Sequence, residues 1–491
     1  MSAIVQPVSS RAGRWTWPLV TFGAGLLALS FLFAEEVTAA VRTWDRSTAY
    51  NHCWLVMPIA LWLAWVRRDR LAVLAPQPTP AFGLLALAGG AAWLMAERLG
   101  IMEGRQFAFI GLIWILALAV FGWRVCLAMS GPLAYLIFLV PFGEFMTPAL
   151  QEVTLTIILA GLRLAGIPHY VDGLVIEIPA GLFLVAEACA GLRFSIAALA
   201  FGALYALEMF RSPVRRLMVM VLAVVVPVLA NGLRALGIVL LGHHLGSAEA
   251  GAADHIIYGW VFFSVVILLL VLLGLPFRQD RVIVAPGLRQ LPDPLRKVPI
   301  SAGALAAGVA VLLSAMAPLA AAQFDAGQPA PVTEIVRLSA PAGCAATPDG
   351  ASVRCPGGEA SARMIVFSPR TNWSAVANAR RQALDAGDDE ALMFSVSGPG
   401  MLWQARQARD DRRIKAAAAW LDGVPAGDGL RSRGMQALNA ITADRGVPVL
   451  VVVELVATPG GEGRERQVMQ EILAAQEDGV AQLATERSKR H

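Results

Sequence analysis

Apolar runs of about seventeen to twenty-five residues, the length at which a helix crosses a bilayer, recur along most of this chain. They lie near 17–34, 53–66, 81–96, 105–122, 125–142, 194–210, 216–241, 256–276 and 300–322. Such a succession excludes a soluble globular fold and predicts a bundle of spanning helices, the one open arrangement that satisfies every backbone polar group in hydrocarbon. The 491 residues are 57% hydrophobic and only 15% charged, and the length leaves room for a second domain. The formal net charge is only +4 and the arginines are scattered between the apolar blocks, so nucleic acid is excluded as a partner.

Residues 149–166, ALQEVTLTIILAGLRLAG, carry Gln151, Glu152 and Arg163 and read as an amphipathic or re-entrant helix rather than a crossing. With a cytoplasmic N-terminus, nine crossings then place fourteen basic loop residues inside and six outside, as the positive-inside rule requires. Counting 149–166 as a span inverts everything after it and spoils that asymmetry. The first block follows Arg11 and Arg14 as a signal peptide would. It lacks a small-x-small cleavage site and reads as a retained helix.

After residue 322 the pattern changes to strand-like runs (ARMIVFS, VPVLVVVELVA) between helical ones (NWSAVANARRQALDAG, RQVMQEILAAQEDGVAQLATER). The expected organisation is a membrane core over 1–285, a Pro-rich cytoplasmic loop over 286–299, a last transmembrane helix over 300–322 and an outer domain over 323–491. The fold class is therefore a polytopic α-helical membrane protein, about nine spans plus the amphipathic or re-entrant helix, with a C-terminal α+β extramembrane domain.

Chemistry concentrates at one depth. Cys189 precedes the span at 194–210, Arg234 lies toward the end of an outward-running span, and His255 opens the inward-running one, so all three reach the outer interface from distant parts of the sequence. A thiol needs a base or an imidazolium partner to act as a nucleophile at neutral pH, which His255 supplies. Arg234 stays protonated and serves an acyl oxygen as negative charge develops on it. Asn231 stands one turn before Arg234. Glu187 and Arg193 flank the thiol, to orient it, to bind substrate backbone, or to pair with each other. YVDGLVIEIPAGLFLVAEA predicts a short hairpin that delivers Cys189 to a helix start, where the helix dipole favours a thiolate. Cys53 and Cys126 read as small apolar fillers. His243, His244, Glu249, Asp254 and His255 lack a metal-ligand spacing, so no metal and no cofactor is expected.

The segments VAEACAGLRFSIAALAFGALYA, ANGLRALGIVLLGHHLG and DHIIYGW resemble the signatures of the exosortase/archaeosortase family, over about residues 20–280. Ala190 stands where that family commonly has serine. The resemblance implies that Cys189 is the nucleophile, Arg234 its cationic partner and His255 the acid/base of a polytopic bacterial inner-membrane enzyme. It further implies a cysteine peptidase or transpeptidase that removes Pro-Glu-Pro-type C-terminal sorting tails from exported proteins through a thioester and passes the product to a surface acceptor. Fused exosortase-associated periplasmic domains occur in the place of 323–491, although no motif here identifies one. A membrane transporter or polysaccharide-export component, with Arg234 and His255 binding an anionic substrate, is the alternative.

Cys344 and Cys355 flank AATPDGASVR, whose Pro-Asp-Gly turn brings two short arms together. A disulfide between them is expected in an oxidising compartment.

Overall fold

The computed structural model describes residues 9–72, 74–246, 255–279, 299–348, 350–384, 392–398, 401–407, 413–442, 446–458 and 464–489. They fall into two compact units, Met1–Ala86 with Phe109–Ser314, and Leu87–Ala108 with Ala315–His491. The Pro-rich loop expected at 286–299 lies, but for Pro299, outside the described residues.

Among the described residues, seven helices are long and apolar enough to cross a membrane: Trp15–Leu32, Pro80–Arg98, Met102–Phe121, Glu144–Leu164, Glu187–Met209, Pro213–Leu245 and Ile300–Asp325. Three shorter apolar ones are Cys53–Val66, Ser130–Leu139 and Val261–Phe277. The chain is thus a multi-pass helical membrane protein with a β-rich C-terminal region. The set includes Glu144–Leu164, which by length and composition alone qualifies as a span.

Packing fixes the direction of the helices in the first unit. Cys53 packs with Ile196 and Leu192 at one end, while Arg67 meets Glu208 at 2.8 Å at the other, so the Cys53–Val66 and Leu192–Met209 helices run parallel. The block expected as one span over 125–142 is instead broken into Trp123–Ala128, Ser130–Tyr135 and a 3-10 turn over Leu136–Leu139. The break falls at Ser-Gly-Pro over 130–132, because a proline removes a backbone donor and crowds the preceding turn. The broken chain still travels the full length of its neighbours. Gly131 lies against Leu207 and Arg67, and by the far end Trp44 Nε1 donates to the Leu139 carbonyl at 3.0 Å and Tyr50 Oη to that of Phe142 at 3.3 Å.

The helix Thr147–Leu164 behaves differently. Gln151 Nε2 donates to the Val185 carbonyl at 2.8 Å. From Thr154 onward the helix runs parallel to Pro213–Leu245, with Thr154 beside Asn231, Ile157 beside Gly232 and Gly161 beside Leu236. The start of Pro213–Leu245 is occupied by Leu192–Met209 instead: Val219 packs on Tyr205 and Ala206, and Gly202 makes room for Ala223.

Among the described residues, the second unit holds a nine-stranded antiparallel sheet in the order Ala345–Ala346, Ser352–Cys355, Gly358–Val366, Val449–Ala457, Arg413–Leu421, Met401–Gln407, Leu392–Gly398, with Val332–Val336 and Val424–Ala426 added at the sides. Helices Glu465–Ala474 and Gln482–Ser488 belong with the core on one face, and Trp373–Ala383 with that on the other. The helix expected over 466–487 is interrupted at 475–481. Cys344 and Cys355 are joined by a disulfide, their Cα atoms 4.3 Å apart.

Candidate active site

The sequence between Thr147–Leu164 and Leu192–Met209 folds as a three-stranded meander, Tyr170–Asp172, Val175–Ile178 and Gly181–Leu184, one strand more than the expected hairpin. Its turns use Gly173 and Gly181, both at positive φ, where a Cβ is unfavourable. Ile176 and Ile178 point into a core shared with Ile158, Leu162 and Val239, and the half-buried Cys189 packs against that core. The meander therefore holds the thiol segment onto two helices.

Cys189 ends a 3-10 turn, Glu187–Cys189, three residues before the next helix begins. Gly191 makes the entry with φ +77°. A Cβ there would collide with the Asn231 carboxamide, so glycine is required both for the backbone and for the close approach. Asn231 is 4% exposed. Its Nδ2 donates to the Cys189 carbonyl at 2.7 Å and to Thr154 Oγ1 at 3.3 Å, tying three segments at one point. Its Oδ1 is buried without a partner among the described residues.

Arg234, one turn beyond Asn231, is 8% exposed and places its guanidinium 5.6 Å above the Phe194 ring. Phe194 in turn stacks on Phe263 at 5.0 Å between centroids. A Cβ at Gly259 would stand 3.5 Å from Arg234 Nη2, so the His255–Gly274 helix approaches Arg234 at a residue without a side chain. His255 is the first residue of that helix, one turn before Gly259; its side chain lies outside the described residues, as do Glu249 and Asp254 altogether. The structure thus brings together the Cys189 turn, Asn231, Arg234 and the helix that His255 opens.

Glu187 and Arg193 do not pair with each other. Both line a cleft of about 220 Å³ together with Tyr50, Glu144 and Thr147, and the Arg193 guanidinium lies 5.3 Å from the Phe194 ring. The residues 47–50 and 144–147 were not anticipated as neighbours of the site; nothing in their local sequence signals it. Cys53 is buried beside Tyr50 and Ile196, and Cys126 lines an apolar groove, consistent with packing roles. His243 and His244 lie two turns or more past Arg234, their rings edge-on to each other with centroids 5.8 Å apart.

The transmembrane exosortase model (Exosortase_EpsH) matches residues 44–272, the stretch that carries Cys189, Asn231, Arg234 and His255. No curated protein and no solved structure matches the chain. Over residues 44–272 the chain is similar to the transmembrane exosortase family.

Proposed function

We propose that the protein is a membrane cysteine peptidase or transpeptidase that removes C-terminal sorting tails from exported proteins. The observation that carries this reading is the convergence of the Cys189 turn, Arg234 and the first turns of the His255 helix around Asn231. In this mechanism the Cys189 Sγ attacks the scissile carbonyl and its proton passes to the His255 imidazole. Arg234, largely withdrawn from water, stabilises the oxyanion. Collapse of the tetrahedral intermediate breaks the C–N bond, and the leaving amine takes the proton from His255. Water or an acceptor amine then attacks the thioester and restores the thiol. Glu187 and Arg193 serve as supporting residues at the mouth of the site.

Helix directions support nine crossings, with Thr147–Leu164 confined to the leaflet that holds the site. On that count the chain is a multi-pass protein of the bacterial inner membrane, with the site and residues 323–491 on the periplasmic side.

The test is thioester capture. When purified full-length protein and a tail-bearing peptide are mixed with neutral hydroxylamine, the shortened product should end in a hydroxamate, and Cys189→Ala should form none. A product that carries only a free carboxylate under the same conditions would exclude the acyl-enzyme.

A further inference from the structure

At the end of the first unit opposite Cys189, the Cys53–Val66 and Leu192–Met209 helices finish together and Pro213–Leu245 begins. A polar cleft of about 550 Å³ lies between these ends, lined by Arg67, Arg70, Arg211 and Arg216 against only two acids, Asp69 and Glu208. The excess charge is positive, and internal pairing uses only part of it. Arg67 is 9% exposed, meets Glu208 at 2.8 Å and donates to the carbonyls of Leu63 and Leu207. Arg216 Nε donates to the Phe210 carbonyl at 2.8 Å. The exposed guanidiniums of Arg70 and Arg211 have no hydrogen bond or ion pair among the described residues. Partial burial, then the nearby Arg67 and Arg211, draw Arg70 below the ordinary arginine range, a crowding of like charge that an anion would relieve.

The surroundings indicate which anion fits. Trp62, Trp65, Leu217 and Met218 are exposed on the same helix ends by 49%, 66%, 64% and 60%, an apolar surface that faces lipid in a membrane protein. Arg68 lies over the Trp65 ring at 4.4 Å, the pairing of a cation and an indole common at a membrane–water boundary. A basic cleft at headgroup depth, open beside lipid-facing apolar side chains, matches a phosphate esterified to acyl chains better than a free ion. Free phosphate has no use for the apolar rim.

We propose that this cleft binds the headgroup phosphate of an anionic phospholipid, with Arg70 and Arg211 holding the phosphate and Arg216 behind them. The proposal is independent of the thiol chemistry, and Cys189→Ala should leave it unchanged.

The test uses detergent-solubilised full-length protein titrated with phosphatidylglycerol or phosphatidylcholine and read by native mass spectrometry. Phosphatidylglycerol should be retained about tenfold better, and Arg70→Gln with Arg211→Gln should bring its retention down to the phosphatidylcholine level. Arg70→Lys with Arg211→Lys, which keeps the charge, should retain most of the preference, and it separates loss of binding from loss of fold. Equal retention of the two lipids, or an undiminished preference in the glutamine variant, would overturn the proposal. So would inorganic phosphate that stabilises the protein against heating as strongly as phosphatidylglycerol does.

Discussion

Asn231 holds the backbone of Cys189 across 42 residues of sequence, its Nδ2 donating to the Cys189 carbonyl at 2.7 Å. Asn231→Ala leaves that carbonyl and Thr154 without their donor, at a cost of about 1–3 kcal/mol. Gly191→Ala attacks the same lock from the other side, since φ +77° and the Asn231 carboxamide both oppose a Cβ. We expect each variant to reach the membrane at near-normal level yet process substrate at least about tenfold more slowly, the loss of roughly 1.4 kcal/mol of transition-state stabilisation. Processing at the wild-type rate in both would remove Asn231 from the positioning role. Immunoblots of enzyme and substrate from the same cells give both readouts.

Thr147–Leu164 should begin and end on the same side of the membrane. Cysteines introduced at Glu144 and at the exposed Leu164, in a chain whose Cys53, Cys126 and Cys189 are replaced, should both react with an impermeant maleimide added from the periplasm. If the two positions label from opposite sides, the helix crosses and the nine-span arrangement fails.

The membrane part was legible because burial in lipid imposes a long, simple signal. The block at 53–66 is the observed helix, and those at 194–210 and 300–322 differ from theirs by a few residues. The break inside 125–142 went unseen because hydropathy counts side chains, whereas Ser130, Gly131 and Pro132 act on the backbone. In the C-terminal region, RIKAAAAWL forms the strand Arg413–Leu421 although alanine intrinsically favours helix. It is buried on both faces: Ala416 and Ala418 meet one core, Ala417 and Ala419 the other, and small side chains let both layers pack close. Shared depth in the sequence singles out Cys189 and Arg234; the hold that Asn231 exerts on the Cys189 backbone required the structure.

The bridge between Cys344 and Cys355, 11 residues apart, closes the Ala345–Ala346 and Ser352–Cys355 hairpin. Cys344→Ser should lower the stability of the C-terminal unit by about 2–4 kcal/mol. In the intact protein neither thiol should react with a maleimide until reductant is added. Labelling of both without reductant would contradict the bridge.

Within the second unit, Arg98, only 4% exposed, donates from both terminal nitrogens to the Asp325 carboxylate at 3.0 and 3.1 Å. Nearby, Asn372 Nδ2 reaches Glu97 Oε1 at 3.0 Å and Arg433 Nη1 the Leu99 carbonyl at 3.2 Å, so residues 97–100 are tied to the C-terminal fold. Asp325→Ala leaves both terminal nitrogens of the buried Arg98 without their carboxylate, with only Nε still held by Glu97, and should destabilise the unit by about 1–3 kcal/mol, seen as faster proteolysis after residue 325. Asp325→Glu should behave close to wild type. Equal proteolysis rates for Asp325→Ala and wild type would show the ion pair to be dispensable.

Whether Cys189 is the nucleophile is decided by the fate of a tail-bearing exported protein in cells whose only copy of this chain carries Cys189→Ala. The expected result is a normal amount of the variant in the membrane and accumulation of substrate with its C-terminal tail intact. Removal of the tail at the wild-type rate would contradict it.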